Sequence, residues 1–167
     1  AYCKKSHGDA VELKLFKYIN VLEEAILQDP PDILALSGYP WCHEISLEMF
    51  RILRKAKPDA LTVMGGPNFP HNADEQAKFL TERPEIDAHT YLDGEIPFSN
   101  FVEHVRKYSD LAQARKTLKS EIIDGCCVLA KNGALVAPPS AARPQNLDEF
   151  PSPYLTGILD EFFDGQL

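Results

Sequence analysis

Ile33 to Leu36 reads Ile-Leu-Ala-Leu and Ala60 to Met64 reads Ala-Leu-Thr-Val-Met, two short runs with almost no polar interruption. Such runs, bounded by turn residues, predict strands buried on both faces, as in a parallel sheet. Asp32–Ser37, which ends in a small polar residue at a loop, is expected to be the central strand. Between the runs, Ile45, Met49, Ile52, Leu53 and Ala56 recur at helical spacing, with Glu48, Arg51, Arg54 and Lys55 largely on the other side, and Pro58 ends that helix. A helix over about Ala73–Leu80 follows, then a more polar strand from Ala88 to Leu92, then a helix marked by Phe98, Phe101, Val102 and Val105. Ahead of these, Val11–Phe16 alternates apolar and charged residues, which predicts a strand near a sheet edge. Ile19, Leu22, Ile26 and Leu27 then mark a helix that Asp29-Pro30-Pro31 stops.

Alternation of this kind, with short loops, predicts an α/β architecture: a doubly wound parallel sheet with right-handed crossovers and helices on both faces. The pattern changes after about Ser109. A charged stretch to Lys119 is expected to be a solvated face. Ile122–Lys131 and Ala134–Ala137, joined by Asn132-Gly133, then predict a hairpin on a type I′ turn, appended to the sheet. Residues 138–153 hold five of the 13 prolines and read as an extended linker. In Tyr154–Leu167, Leu155, Ile158, Leu159, Phe162 and Phe163 predict a helix whose apolar face packs on something outside this chain. The expected organisation is a sheet domain over 1–108, a helical stretch and hairpin over 109–137, and a linker and helix over 138–167.

Composition narrows the partners. The 167 residues are 44% hydrophobic and 25% charged, as in an ordinary soluble globular protein. A net charge of −8 disfavours binding to a phosphate backbone, so nucleic acid is not an expected partner. Apolar runs are far shorter than the roughly 20 residues a membrane-spanning helix needs, so no membrane partner is expected. Cys3, Cys42, Cys126 and Cys127 form no disulfide framework, which favours a reducing cytoplasm. The start at Ala1, with no initiating Met and no apolar leader, reads as the interior of a larger product.

In open α/β sheets ligands bind beyond the carboxyl ends of the strands, so Ser37–Trp41, Gly65–Asn68 and Asp93–Glu95 are the loops of interest. Ser37 offers a hydroxyl, Gly38, Gly65 and Gly66 permit close backbone approach, and Tyr39 and Trp41 supply flat apolar walls. This set suits a large planar or conjugated ligand. No G-x-G-x-x-G and no G-x-x-x-x-G-K-[ST] occurs, so dinucleotide and nucleoside triphosphate sites are unsupported. Cys42, His43 and Glu44 are consecutive at a helix start and point in different directions, which disfavours a shared metal. His7, His71, His89 and His104 show no ligand spacing, and Asp93 and Glu95 read as a solvated turn.

Pro31-Asp32-Ile33 through Ser37-Gly38-Tyr39-Pro40-Trp41, then Pro58-Asp59, Gly65-Gly66-Pro67, Pro84-Glu85-Ile86-Asp87 and Asp93-Gly94-Glu95 resemble the N-terminal cobalamin-binding domain of cobalamin-dependent radical SAM proteins. The resemblance runs from about Val11 to Lys107, and Leu147–Tyr154 is similar to the connector that precedes the radical SAM barrel in that family. It implies a Rossmann-like domain lacking its first strand, which would lie upstream of Ala1. It also implies cobalamin along Ser37, Gly38, Tyr39, Trp41, Gly65, Gly66 and Pro67, with Gly94 and Glu95 closing the rim. S-adenosylmethionine and an iron–sulfur cluster would belong to a C-terminal barrel of the same polypeptide, the implied partner, and the implied reaction is methyl transfer or related radical chemistry. No D-x-H-x-x-G supplies a lower cobalt ligand, and no C-x3-C-x2-C holds a cluster. No catalytic residue and no metal ligand is therefore assigned to this chain. The alternative is a cofactor-free docking or substrate-recognition domain.

Overall fold

In the computed structural model, which describes residues 1–137 and 146–163, five strands form one sheet: β1 (Ile33–Ser37), β2 (Leu61–Gly65), β3 (Ala88–Thr90), β4 (Cys126–Leu129) and β5 (Leu135–Val136). They lie in sequence order across the sheet; β1, β2 and β3 are parallel, while β4 and β5 each run antiparallel to the strand before. Six helices accompany them: α1 (Tyr2–His7), α2 (Ile19–Gln28), α3 (His43–Ala56), α4 (Ala73–Thr81), α5 (Glu95–Arg106) and α6 (Leu111–Leu118). The chain is thus α/β and Rossmann-like, as expected, with three parallel strands continued by two antiparallel ones into a mixed sheet. Among the described residues no helix is long and apolar enough to cross a membrane.

Two cores flank the sheet. On one face Leu22 and Ile26 of α2, Leu47, Phe50 and Leu53 of α3 and Leu80 of α4 pack with Leu34, Met64 and Cys127. On the other, Phe101 and Val105 of α5 and Ala114 and Leu118 of α6 pack with Leu61, Val63, Ala88 and Cys126. Cys126 and Cys127 therefore face opposite sides of β4. Burial pushes their thiols up to about 12 and about 11, which keeps both protonated at neutral pH.

Several sequence expectations are corrected. β2, with Leu61, Thr62, Val63 and Met64 all buried, is enclosed on both faces, as are Ala88–Thr90 of β3. Among the described residues β1 pairs with β2 alone and leaves Ala35 and Ser37 exposed, so the expected central strand lies at the edge of the described sheet. Val11–Phe16 forms no strand and leaves Leu15 and Phe16 exposed; alternation marks a half-buried surface but does not supply a neighbour to pair with. On α3 the buried stripe is Leu47, Met49, Phe50 and Leu53, and Ile45 points to solvent.

Further along the chain, the hairpin extends the same sheet. Its turn has positive φ at Gly133 (81°) but not at Asn132, whereas a type I′ turn needs both. Gly133 N–H donates to the Ala130 carbonyl at 3.0 Å and Asn132 Oδ1 accepts from Ala134 N–H at 3.1 Å, which is a turn closed by a left-handed glycine. In the tail, Asp160–Phe162 makes one short 3-10 turn and the expected α-helix is absent among the described residues, with Leu155 90% exposed. Nothing described covers that apolar face, and a short helix does not persist without packing. Residues 138–145 of the expected linker and 164–167 of the expected helix lie outside the described residues.

The charged stretch near Lys119 is not simply solvated. Arg115 of α6 donates from Nε to Asp87 Oδ1 at 2.9 Å, and Arg54 of α3 donates from Nη2 to Asp87 Oδ2 at 2.9 Å. Thr62 N–H also reaches Asp87 Oδ2, at 2.9 Å. Burial pushes the Asp87 carboxyl upward, with the Arg54 guanidinium and the Thr62 N–H and hydroxyl pulling it down. This cluster ties both helical layers to the amino ends of β2 and β3, the end opposite the ligand loops.

Candidate ligand site

Ser37, Gly65 and Thr90 are successive partners across β1, β2 and β3, so the three parallel strands end at one level. The loops Ser37–Trp41, Gly65–Asn68 and Asp93–Glu95 consequently share one rim. The first two are joined directly, because Gly38 N–H donates to the Gly65 carbonyl at 2.6 Å. The third leads into α5, with Gly94 capping the helix and Phe98 N–H donating to the Gly94 carbonyl at 2.9 Å. Leu92, just before it, holds φ at 62°, the one non-glycine residue with positive φ among those described.

The rim glycines are closely packed by the chain itself. A Cβ on Gly65 would stand 2.6 Å from Thr90 Oγ1, and one on Gly38 would stand 2.9 Å from Met64 Sδ. Gly66 has φ at 113° and abuts the Gly38 backbone. Their small size is thus already needed for the two loops and three strand ends to meet. Gly66 and Pro67 nonetheless expose their outer surfaces.

Tyr39 and Trp41 stack on one another, 4.7 Å between ring centres and 16° from parallel, with Trp41 77% exposed. A tight turn places them: Cys42 N–H donates to the Tyr39 carbonyl at 3.0 Å, and Ser46 Oγ donates to the Ser37 carbonyl at 2.9 Å. Ser37 Oγ lies 3.5 Å from Cys42 Sγ at the open edge. These loops contain no Lys or Arg, and their charge comes from the exposed Asp93 and Glu95, so the rim does not attract polyphosphate. What it offers is a flat aromatic face, a hydroxyl and exposed backbone, which fit a large conjugated ring system.

Behind the rim lies a cluster that sequence reading missed. Phe69, which follows the Gly65–Asn68 loop, stacks on His89 of β3 at 3.8 Å and 7°, and meets Phe79 of α4 edge-on. His43, the first residue of α3, is buried and its Nε2 accepts from Arg83 Nε at 2.9 Å. Its pKa is lowered by burial and then by the Arg83 charge. Burial lowers His89 to about 4. His43 therefore turns into the core, away from Cys42 and Glu44, and presents no ring nitrogen to the rim. The available sequence signal was Phe69 and Phe79 flanking a loop and helix; the burial of two histidines between them had none.

No protein-family model matches the chain. The chain is 29% identical over 130 residues to the cobalamin-dependent radical SAM methyltransferase TokK of Streptomyces tokunonensis. It is also 29% identical over 131 residues to the 2-(S-pantetheinyl)-carbapenam-3-carboxylate methyltransferase of Streptantibioticus cattleyicolor. Each match covers 78% of this chain and 17% of the relative, so the chain spans about a sixth of the length of these curated relatives. It is a distant homologue of such methyltransferases.

Proposed function

We propose that this chain is the cobalamin-binding module of a radical SAM enzyme, and that it positions the corrin for methyl transfer or a related radical reaction. The observation that carries this reading is the level rim of three parallel strand ends bearing an exposed aromatic stack, in a chain homologous to a cobalamin-dependent radical SAM methyltransferase. Tyr39 and Trp41 would lie along the macrocycle, Ser37 would hydrogen-bond to its periphery, and Gly38, Gly65, Gly66 and Pro67 would bring backbone beside it. Gly94 and Glu95 would close the third side. Bound cobalamin supplies methyl-carrying cobalt, while S-adenosylmethionine and the iron–sulfur cluster belong to a barrel domain of the same polypeptide. The four free thiols fit a cytoplasmic setting.

The test is a hydroxocobalamin titration of the chain, with corrin absorbance read after desalting. The expected result is retention by the wild type and at least a tenfold loss of affinity in Trp41→Ala and Tyr39→Ala. Both side chains are exposed, so circular dichroism is expected to show an unchanged fold. Substitution of Gly65 is a poorer probe, because Thr90 already occupies the space beside it.

A second reading, a cofactor-free docking or substrate-recognition domain, is favoured by one observation: Gly38, Gly65 and Gly66 are accounted for by packing within the chain. Failure of a folded wild type to retain corrin would select it.

A further inference from the structure

Buried polar atoms in folded proteins almost always find partners. Among the described residues, three of the four buried side-chain atoms without one are ring nitrogens: His43 Nδ1, His89 Nδ1 and His89 Nε2. All three belong to the cluster directly beneath the Gly65–Asn68 loop.

The protonation states follow from the contacts. A guanidinium N–H is always a donor, so the Arg83 Nε bond at 2.9 Å requires a lone pair on His43 Nε2. His43 is therefore neutral, with its proton on Nδ1. His89 is 1% exposed, with the backbone of Thr90 beside its ring but no carboxylate paired with it among the described residues, so a second proton would create a buried cation without a counter-charge.

The groups facing the pair do not supply one. From the turn after α4 comes Arg83, itself cationic. On α3, Glu44 next to His43 is exposed. Across the sheet on β4, Cys127 is the register partner of His89 and its thiol stays protonated. Beyond Phe69 stand Tyr91 and His71, 3.5 Å apart. The face of Phe69 would attract a charged His89, but this offsets only part of the hydration lost.

A protonated His89 must reach water, and its backbone cannot move, being held in register between Met64 and Cys127. The segment against the ring that lies outside any strand or helix is the one carrying Phe69, whose ring lies flat against the imidazole. Within that segment Gly66 abuts the Gly38 backbone and thereby the aromatic loop, while Gly65 is itself fixed in register between Ser37 and Thr90.

We propose that His43 and His89 form a proton latch for the rim: while both are neutral, Phe69 stays stacked and the Gly66–Asn68 segment stays packed on Gly38, and a proton taken up from solvent by the pair frees Phe69 and opens that segment. The latch stands whichever reading of the rim's ligand holds, and its test needs no ligand.

The experiment is an NMR titration of the 15N-labelled chain from pH 7 to pH 3.5, following the His89 ring nitrogens and the amides of Gly66 and Phe69. Far-UV circular dichroism is recorded over the same range. The expected result is that these amides shift with the His89 ring, at one midpoint below pH 6, before any loss of far-UV signal. In His89→Phe, which keeps a ring for Phe69 to stack on, the loop transition is expected to disappear. Protonation of His89 with the loop amides unmoved would overturn the proposal. So would a loop transition with the same midpoint in His89→Phe, or one that coincides with global unfolding. Should His89→Phe not fold, the ring and loop midpoints of the wild type alone decide.

Discussion

The hydroxyl oxygen of Thr90 stands 2.6 Å from where a Cβ on Gly65 would be, one strand away at the carboxyl end of the sheet. This contact, and not a ligand, sets the size limit at Gly65. Gly65→Ala is expected to lower stability by about 2 kcal/mol through overpacking. In a Thr90→Ala background the nearest obstruction is gone, and the same substitution is expected to cost less than about 0.5 kcal/mol. Urea denaturation of the four proteins of the cycle measures the coupling. Additive effects would show that the two positions are not in contact.

His89 also shapes the dependence of stability on pH. Its pKa lies near 4 in the folded chain, against 6.5 for the free side chain. Between those values the unfolded chain takes up a proton that the folded chain refuses, so stability is fully present above about pH 6.5 and falls as the pH drops. At pH 5 the loss from this residue is expected to be roughly 2 kcal/mol. His89→Phe removes the term and two unpartnered nitrogens, so its unfolding midpoint is expected to exceed that of the wild type by more at pH 5 than at pH 7. A constant difference between the two would exclude His89 as the source.

Leu92 adopts φ 62° in the loop between β3 and α5, with its side chain exposed. A left-handed conformation at a residue with a Cβ costs about 1 kcal/mol. Leu92→Gly is expected to recover about that amount, and thermal unfolding at neutral pH checks it. A lower melting temperature would mean that the leucine side chain is held by contacts that outweigh the backbone strain.

Asp87 joins Arg54 and Arg115, one from each helical layer, at 2.9 Å each. Asp87→Ala leaves two partly buried guanidiniums facing each other and is expected to cost about 3 kcal/mol. Because the cluster lies at the amino ends of the strands, ligand retention at the rim below the unfolding temperature is expected to stay within twofold of wild type. A tenfold loss of retention in a folded variant would show that the two ends of the sheet are coupled.

Much of the architecture was legible along the chain. The apolar run at Ala60–Met64, the helical stripe through Leu53 and the stops at Pro30, Pro31 and Pro58 each report a residue's environment relative to its chain neighbours. The three loops that share the rim followed from the same alternation, since every strand of a parallel set ends on the same side.

What lies sideways was not legible. Ile33–Leu36 and Ala60–Met64 carry similar apolar patterns, yet one lies at the edge of the described sheet and the other is enclosed, because hydrophobicity does not record which strand pairs on each side. The same reason hid the role of Arg115, which reads as a solvated charge until α6 brings it to Asp87. It also hid His43 and His89, which become a buried pair only when α3, β3 and α4 close around Phe69 and Phe79. The sequence by itself determined the order and type of the main elements and the loops at their ends, since those depend on local period and turn chemistry. The tertiary structure alone decided which strands are enclosed, why the rim glycines are small and which charges and imidazoles are buried, since those depend on contacts between residues distant in the chain.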